Sequence, residues 1–356
     1  MFHPLAVSRL RPLAEGAIVL TLAVPPPLRP VFRHLPGQHV TVRHRHEGRE
    51  LRRTYSVCGP APGAEGPAEL TLGVRQVRGG AFSTHALRRL AVGDRLDVLP
   101  PAGRFTLRPA PGHFAALTGG SGITPVLSMA ATLLAREPAA RFTLLRSDRT
   151  AASAMFLDET AELKDRYPTR FQQVHALTRE ERHTGLATGR LHAVRLRELL
   201  PALLPVGEVA GWYLCGPRGL VTAGGEALHA LGVPPARVHS ELFRPEDAPP
   251  GPSGPAGDEA DTGPTVGTLA LTLGGRRAEL ALVPGETLLG TVLRGRPDAP
   301  WACRGGVCGT CRARLLAGRV TMARNDALEP AELAAGYVLS CQARPLTERV
   351  ELDFDA

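Results

Sequence analysis

The sequence predicts a multi-domain chain in three parts: an antiparallel β-barrel, then an α/β domain on a parallel sheet, then a small α+β domain. Three observations lead there. The chain has 356 residues, and at roughly 100–200 residues per domain that makes two or three units. Its texture changes twice, from short alternating runs, to apolar strands interleaved with helical stretches, and back to short strands. A segment rich in Pro, Gly and acids separates the last part from the first two. Hydrophobic residues at 43% and charged residues at 21% supply a sizeable core and exclude wholesale disorder. The 39 Gly and 33 Pro follow no fixed period, which excludes a collagen-like chain.

Residues 1–107 carry the barrel. Alternation runs through Ala17–Leu22, Gln38–Val42 and Glu69–Val74, with turn residues between. Residues 108–243 carry the α/β domain: apolar strands at 114–118, 141–145 and 212–215 alternate with helical patterns at Pro125–Arg136 and Phe156–Arg166. Residues 244–265 read as a linker, because nothing in RPEDAPPGPSGPAGDEADTGP could bury a face. Its contour limit is about 70 Å at roughly 3.3 Å per residue, so a tethered domain could reach several docking positions. Residues 266–356 form the third domain, with short strands at 269–273 and 278–282, a compact Gly/Cys segment and closing strands.

The formal charge is +8, nearly all of the basic side being Arg, with Lys164 the only lysine. About +11 falls on residues 1–243, about −4 on the linker and about +1 on the rest. Basic charge on the front suits phosphate-bearing ligands; nucleic acid would ask for interleaved aromatics, and these are only 4%. The chain has no run of 18 apolar residues, and MFHPL lacks the parts of a signal peptide. A cytoplasmic protein with neither a membrane nor a nucleic-acid partner is expected.

Four of the six cysteines lie in the last 54 residues, as Cys303, Cys308, Cys311 and Cys341 in the spacing C-x4-C-x2-C-x29-C. Three thiolates on one loop, with Gly305, Gly306 and Gly309 permitting backbone approach, suit two irons with two bridging sulfides. A structural zinc site is the alternative, though it would usually pair two C-x2-C knuckles. The spacing resembles that of plant-type 2Fe-2S ferredoxins, over about 266–356, which implies a β-grasp fold and a one-electron carrier.

Upstream, Arg53-Thr54-Tyr55-Ser56 closes one strand and Gly79-Gly80-Ala81-Phe82-Ser83 follows the next. An Arg and the amides of a Gly turn suit a pyrophosphate; a Tyr suits the face of a flat heterocycle, and a Ser hydroxyl can bond a ring nitrogen. Taken alone, the first motif also reads as a surface Arg and a core Tyr. Thr118-Gly119-Gly120-Ser121-Gly122-Ile123-Thr124-Pro125 joins a strand to a helix, where free amides and a dipole end face outward. A plain βα turn is the alternative reading, and the dinucleotide fingerprint G-x-G-x-x-G is not met. Cys215-Gly216-Pro217 ends a later strand on the same crevice.

Together these motifs resemble the ferredoxin–NADP reductase superfamily over 1–243. The resemblance implies FAD, with Arg53 on its pyrophosphate, Tyr55 stacked on the isoalloxazine, Ser56 near N5 and Thr54 between them. Gly79, Gly80, Phe82 and Ser83 would complete the phosphate cradle. Gly120, Gly122, Thr124 and Pro125, with Gly216 and Pro217, would border the nicotinamide nucleotide, and Ser56 and Cys215 would flank the reacting atoms. Across nearly the whole chain, segments such as Pro100–Phe105, Trp301–Cys308 and Ala335–Ala343 resemble the reductase subunits of phenylacetyl-CoA epoxidases. One stretch departs: Arg146-Ser147-Asp148-Arg149 stands where that family has Tyr-Gly-Asn-Arg. Arg149 would pair a 2′-phosphate with help from Arg146, whereas Asp148 would favour a free ribose hydroxyl. NADPH is expected, with NADH possible.

The implied activity is electron transfer from NAD(P)H through FAD and the 2Fe-2S cluster to a multi-subunit di-iron oxygenase, with phenylacetyl-CoA epoxidation as its setting. A flavin is needed because it takes two electrons and gives them up singly. A steroid or aromatic-ring hydroxylase, or a hybrid-cluster protein, is the alternative acceptor. Cys58 is expected to be a buried thiol, and His44-Arg45-His46 a solvated loop without a metal.

Overall fold

The computed structural model describes residues 1–180, 188–243 and 267–356. The linker expected over 244–265 lies outside the described residues. Phe2–Phe243 form one compact unit and residues 267–356 belong to a second.

The first half of the larger unit is a closed barrel. Its strands are β1 (His3–Ala14), β2 (Ala17–Ala23), β3 (His39–His46), β4 (Arg49–Ser56), β5 (Glu69–Arg75) and β6 (Arg95–Val98). They pair antiparallel in the order β4-β3-β6-β1-β2-β5. The two edge strands then meet: Val57 bridges Leu72, and the Cys58 N–H donates to the Thr71 carbonyl at 2.8 Å. Closure leaves little exposed edge to pair with another chain. Leu20, Leu22, Val40, Val42, Leu70 and Leu72 fill the interior. Val19, on the opposite face of β2, is buried as well, because that face packs on the α/β half.

The expectation of an all-β first domain needs one correction. Helix α1 (Ala81–Arg88) follows the Gly79-Gly80 turn. Two turns are too short for a 3.6-residue period to stand out in sequence.

The second half alternates β7 (Gly112–Gly119), α2 (Ile123–Arg136), β8 (Ala140–Asp148), α3 (Leu157–Arg166), β9 (Phe171–Leu177), α4 (Ala193–Leu203), β10 (Val209–Gly216), α5 (Arg218–Ala230) and β11 (Val238–Leu242). All five strands are parallel, in the order β11-β10-β7-β8-β9. Both faces are covered, by the cluster around α2 and α3 and by that around α4 and α5, so the strands are apolar on both sides. Strand order reverses between β7 and β10, the kind of switch point at whose carboxyl ends open α/β sheets bind their ligands.

The smaller unit contains β12 (Thr268–Leu273), β13 (Arg276–Ala281), α6 (Leu288–Gly295), β14 (Arg312–Ala317), β15 (Val320–Met322), α7 (Pro330–Ala334), β16 (Tyr337–Leu339), β17 (Ala343–Pro345) and β18 (Arg349–Asp353). Its main sheet is mixed, β13-β12-β18-β14-β16, with only β12 and β18 parallel. Helix α6, capped by the Thr287 hydroxyl accepting from Gly290 N–H, buries Leu288 and Val292 against Leu269, Leu271 and Leu352. The cysteine loop lies between α6 and β14, and Cys341 follows β16. Among the described residues no helix is long and apolar enough to cross a membrane.

Candidate functional site

Ser56 is the last residue of β4 and is 4% exposed; its Oγ is buried without a hydrogen-bond partner among the described residues. An orphan hydroxyl in a folded interior costs about 1–3 kcal/mol, so it fits a group that would complete it, such as a flavin ring nitrogen. Two residues apart on β4, Arg53 and Tyr55 share a face. Tyr55 packs on Phe82 with ring centroids 5.5 Å apart, and burial pushes its phenol up, so the ring is neutral. Thr54 is half-buried opposite Thr41.

Phe82 itself is fully buried inside the barrel, and the Ser83 hydroxyl is turned inward, accepting from Val77 N–H at 3.1 Å. What both residues can offer a phosphate is their amides: α1 begins at Gly80 with no side-chain cap, and Gly79 takes φ +75° to make the turn. Arg53 and the uncapped start of α1 are thus the groups here that could receive a phosphate.

The second cluster lies at the switch point of the parallel sheet. A 3-10 turn at Gly120–Gly122 leads into α2, again uncapped by any side chain. A Cβ at Gly122 would stand 2.1 Å from the Cys215 carbonyl oxygen, and one at Gly216 would stand 2.8 Å from Gly119 N. The two strand ends therefore touch backbone to backbone. Thr124 Oγ1 donates to the Ser121 carbonyl at 2.9 Å and is buried, as is Pro125, so both shape the turn. Pro217 precedes α5 as its N-terminal flank. Burial, and beside it the Glu241 carboxyl, push the fully buried Cys215 thiol well up, so it is uncharged.

Glu241 and His39 were not singled out by the sequence. Glu241 is the register partner of Cys215, and His39 is that of Ser56. Across the seam Glu241 Oε1 lies 3.9 Å from His39 Nδ1, which draws the two strand pairs to one place. Burial raises Glu241 to about 8 and lowers His39 to about 4, so both are uncharged at neutral pH. A legible signal was an acid inside the short strand Val238-His239-Ser240-Glu241-Leu242.

The reading of Arg146 and Asp148 is corrected. Arg146 is 1% exposed; its Nε donates to Asp148 Oδ2 at 2.9 Å and its Nη2 to the Met155 carbonyl at 2.9 Å. Asp148 is also buried, and His175 Nε2 lies 2.9 Å from the same oxygen. Burial opposes ionisation of Asp148, but the His175 hydrogen bond and the Arg146 charge outweigh it and hold the pKa down. The guanidinium cannot help at a coenzyme phosphate, and the neutralised carboxylate does not repel one. Arg149, one residue past β8, is exposed.

In the smaller unit the four thiols pair two by two: Cys303 with Cys308, and Cys311 with Cys341, each within hydrogen-bond reach. In each pair the mutual hydrogen bond is the largest effect, holding Cys303 and Cys341 down and pushing Cys308 and Cys311 up. Amides of Gly305, Val307 and Cys308 point at the Cys303 sulfur, and that of Gly306 at Cys341. Among the described residues no three His, Cys, Asp or Glu close on a single metal ion. Two thiol pairs fringed by N–H donors fit a binuclear cluster better than one zinc. Cys58 is buried, donates weakly to the Ser56 carbonyl at 3.6 Å, and lies outside both groups.

Three family models match in series: an oxidoreductase FAD-binding domain at residues 7–107, an oxidoreductase NAD-binding domain at 117–224, and a 2Fe-2S iron-sulfur cluster binding domain at 271–346. The chain is 38% identical over 359 residues to a subunit of the 1,2-phenylacetyl-CoA epoxidase of Escherichia coli, covering 100% of this chain and 98% of that one. The chain belongs to this family of flavin and iron–sulfur reductase components. A second relative in the family, the ferredoxin reductase component of 3-ketosteroid-9-alpha-monooxygenase from Rhodococcus rhodochrous, is 32% identical over 337 residues, covering 94% and 92%. Among solved structures, phthalate dioxygenase reductase has the same fold, with TM-score 0.59 at 23% identity over 99% and 98% of the two chains. As a member of the family the protein is an NAD(P)H-dependent oxidoreductase that transfers electrons through FAD and a 2Fe-2S cluster.

Proposed function

We propose that this reductase supplies a multi-subunit di-iron oxygenase of the phenylacetyl-CoA epoxidase type, in the cytoplasm. The observation that carries the reading is the line Ser56, His39, Glu241, Cys215, which joins the barrel to the open edge of the parallel sheet. Full-length similarity to the epoxidase component supports this choice of acceptor.

Arg53 and the amides of Phe82 and Ser83 would hold the FAD diphosphate, the Gly79-Gly80 turn, with Gly80 N–H bonded to the Val77 carbonyl at 2.9 Å, presenting them, and Thr54 and Tyr55 would line the ring's approach. Ser56 Oγ, buried and unpartnered, would donate to a ring nitrogen of the flavin. Gly120, Gly122 and the amides around Thr124 and Pro125 receive the coenzyme diphosphate, and Gly216 and Pro217 admit its nicotinamide beside Cys215. The uncharged thiol and the buried wall around it exclude water from the reacting atoms. Cys303, Cys308, Cys311 and Cys341, already paired two by two, would ligate the cluster. Bound FAD and cluster supply the step from two-electron to one-electron chemistry. Arg149, with Asp148 neutralised behind it, favours NADPH over NADH. The parts divide as a FAD barrel at 1–107, a coenzyme domain at 108–243, a linker at 244–265 and a ferredoxin-type domain at 266–356.

Reduction of candidate oxygenases by the purified protein, with NADPH and NADH in parallel, tests the acceptor. The epoxidase oxygenase is expected to be reduced fastest; a steroid hydroxylase preferred instead would favour the relationship to the ketosteroid reductases. Cys215→Ala is expected to slow flavin reduction by coenzyme roughly 10–100-fold, as loss of about 1.4–2.7 kcal/mol of positioning would, with cluster content unchanged. An unchanged rate removes Cys215 from the site.

A further inference from the structure

Gln342 follows Cys341 in the turn between β16 and β17. Its backbone is fixed on both sides: the N–H donates to the Leu339 carbonyl at 2.8 Å, and the carbonyl accepts from Ala323 N–H at 3.1 Å. The half-buried side chain lies over Gly306, where a Cβ would stand 3.1 Å from its Cγ. Its amide Nε2 reaches three acceptors: the Arg304 carbonyl at 2.8 Å, the Cys341 carbonyl at 3.1 Å and Cys341 Sγ at 3.6 Å. A primary amide has two N–H groups. One goes to Arg304, and the other is shared between the carbonyl and the sulfur of Cys341.

The first bond acts on the cysteine loop. Arg304 follows Cys303 at φ +50°, in the left-handed region that a residue with a Cβ seldom adopts, and its guanidinium lies 4.0 Å from the centre of the Trp301 ring. Such a conformation persists where the surroundings hold it, and the Gln342 amide is one of the groups that do. The second bond acts on the fourth cysteine. The Thr310 side chain bonds Cys308 from within the loop, whereas Gln342 ties the loop to a segment 38 residues further on. A donor aimed at a thiolate favours the state with more negative charge on the sulfur. Reduction adds one electron to a cluster held by four thiolates, so a donor at one of them raises the reduction potential.

We propose that Gln342 sets the reduction potential of the cluster, donating to Cys341 Sγ while it anchors the cysteine loop through the Arg304 carbonyl. It is a positioning residue: it acts through a ligand and makes or breaks no covalent bond. The inference rests on the reading that Cys303, Cys308, Cys311 and Cys341 are the ligands. Without the amide, the electron from the flavin enters the cluster less readily.

Equilibration of the FAD- and cluster-loaded protein with a redox dye at fixed potential, read by the paramagnetic resonance of the reduced cluster and by iron content, tests this. Gln342→Met keeps an unbranched side chain and removes the donor. Its ratio of reduced to oxidised cluster is expected to fall about tenfold, which is about 59 mV for a one-electron couple, with iron content retained. Gln342→Lys keeps N–H donors at the end of an unbranched chain and is expected to hold the ratio at or above that of wild type. A ratio unchanged in Gln342→Met overturns the proposal, and so does one below wild type in Gln342→Lys. Where Gln342→Met does not retain its iron, the lysine variant decides by the same criterion. A cluster spectrum that survives Cys341→Ser overturns the ligand set beneath the proposal; an unmoved ratio in Gln342→Met beside a cluster lost in Cys341→Ser overturns the role of Gln342 alone.

Discussion

The single residues that carry chemistry differ in how they show themselves. The four cysteines announce their role by spacing, because few thiol patterns other than a binuclear cluster put three on one loop and a fourth 30 positions later. Ser56 was found by motif, and the structure adds the physical mark of an unmet hydroxyl. Its replacement by Ala is expected to slow flavin reduction by coenzyme roughly 10–100-fold, with protein stability nearly unchanged or raised in thermal melts of the flavin-free form. For Asp148 the sequence gives its neighbours along the chain but not His175 across the sheet. Asp148→Ala leaves Arg146 buried without its counter-ion and is expected to cost about 3–5 kcal/mol in denaturant unfolding. The pKa of Asp148 is held below its unfolded value, so its contribution is present above about pH 4 and lost as pH falls through the folded value. Glu241 behaves oppositely. With its folded pKa raised to about 8, the native state keeps a proton that the unfolded state sheds, and stability falls as pH rises from about 4.5 to 8. Glu241→Gln is therefore expected to melt higher than wild type by a gap that widens between pH 5 and 8, by at most about 1.4 kcal/mol per pH unit, and levels off beyond.

At the scale of elements, long periodic segments were legible and short ones were not. Strands β2, β5, β7 and β8 and helix α2 stand where alternation or helical spacing places them, within a few residues. Helix α1 was missed because eight residues after a Gly turn carry too little period. Strand β1, 12 residues long, was missed because its bulges break the alternation between Val7 and Arg9 and between Pro12 and Ala14. The β7–α2 turn is the element on which the proposed coenzyme site depends most directly, and its requirement is the close backbone approach at Gly122. Gly122→Ala would drive a methyl into the Cys215 carbonyl. Coenzyme affinity is expected to fall at least tenfold, a loss of about 1.4 kcal/mol, while FAD content and cluster spectrum stay normal; retention of full affinity would show that the turn can open.

Across the whole molecule, the flavin and coenzyme halves share one compact unit, with a core that runs from Val19 and Phe105 through Leu133 and Tyr213, while the thiols lie in the other unit with cores of their own. Cys341→Ser is accordingly expected to abolish the cluster's visible absorption and electron delivery to one-electron protein acceptors, yet to keep NADPH-dependent reduction of ferricyanide at the flavin. Loss of flavin content in the same variant would show that the units depend on each other for folding. The sequence by itself determined the order of the domains, the cysteine spacing and the strands that carry Arg53, Ser56 and Cys215, because each is written in local spacing and periodicity, whereas FAD followed from the resemblance of the motifs to a family. Tertiary structure alone decided that His39 and Glu241 meet across the seam, that Arg146 and Asp148 neutralise each other in the interior, and that the thiols pair two by two. Burial and charge compensation depend on partners distant in the chain, and no local pattern records them.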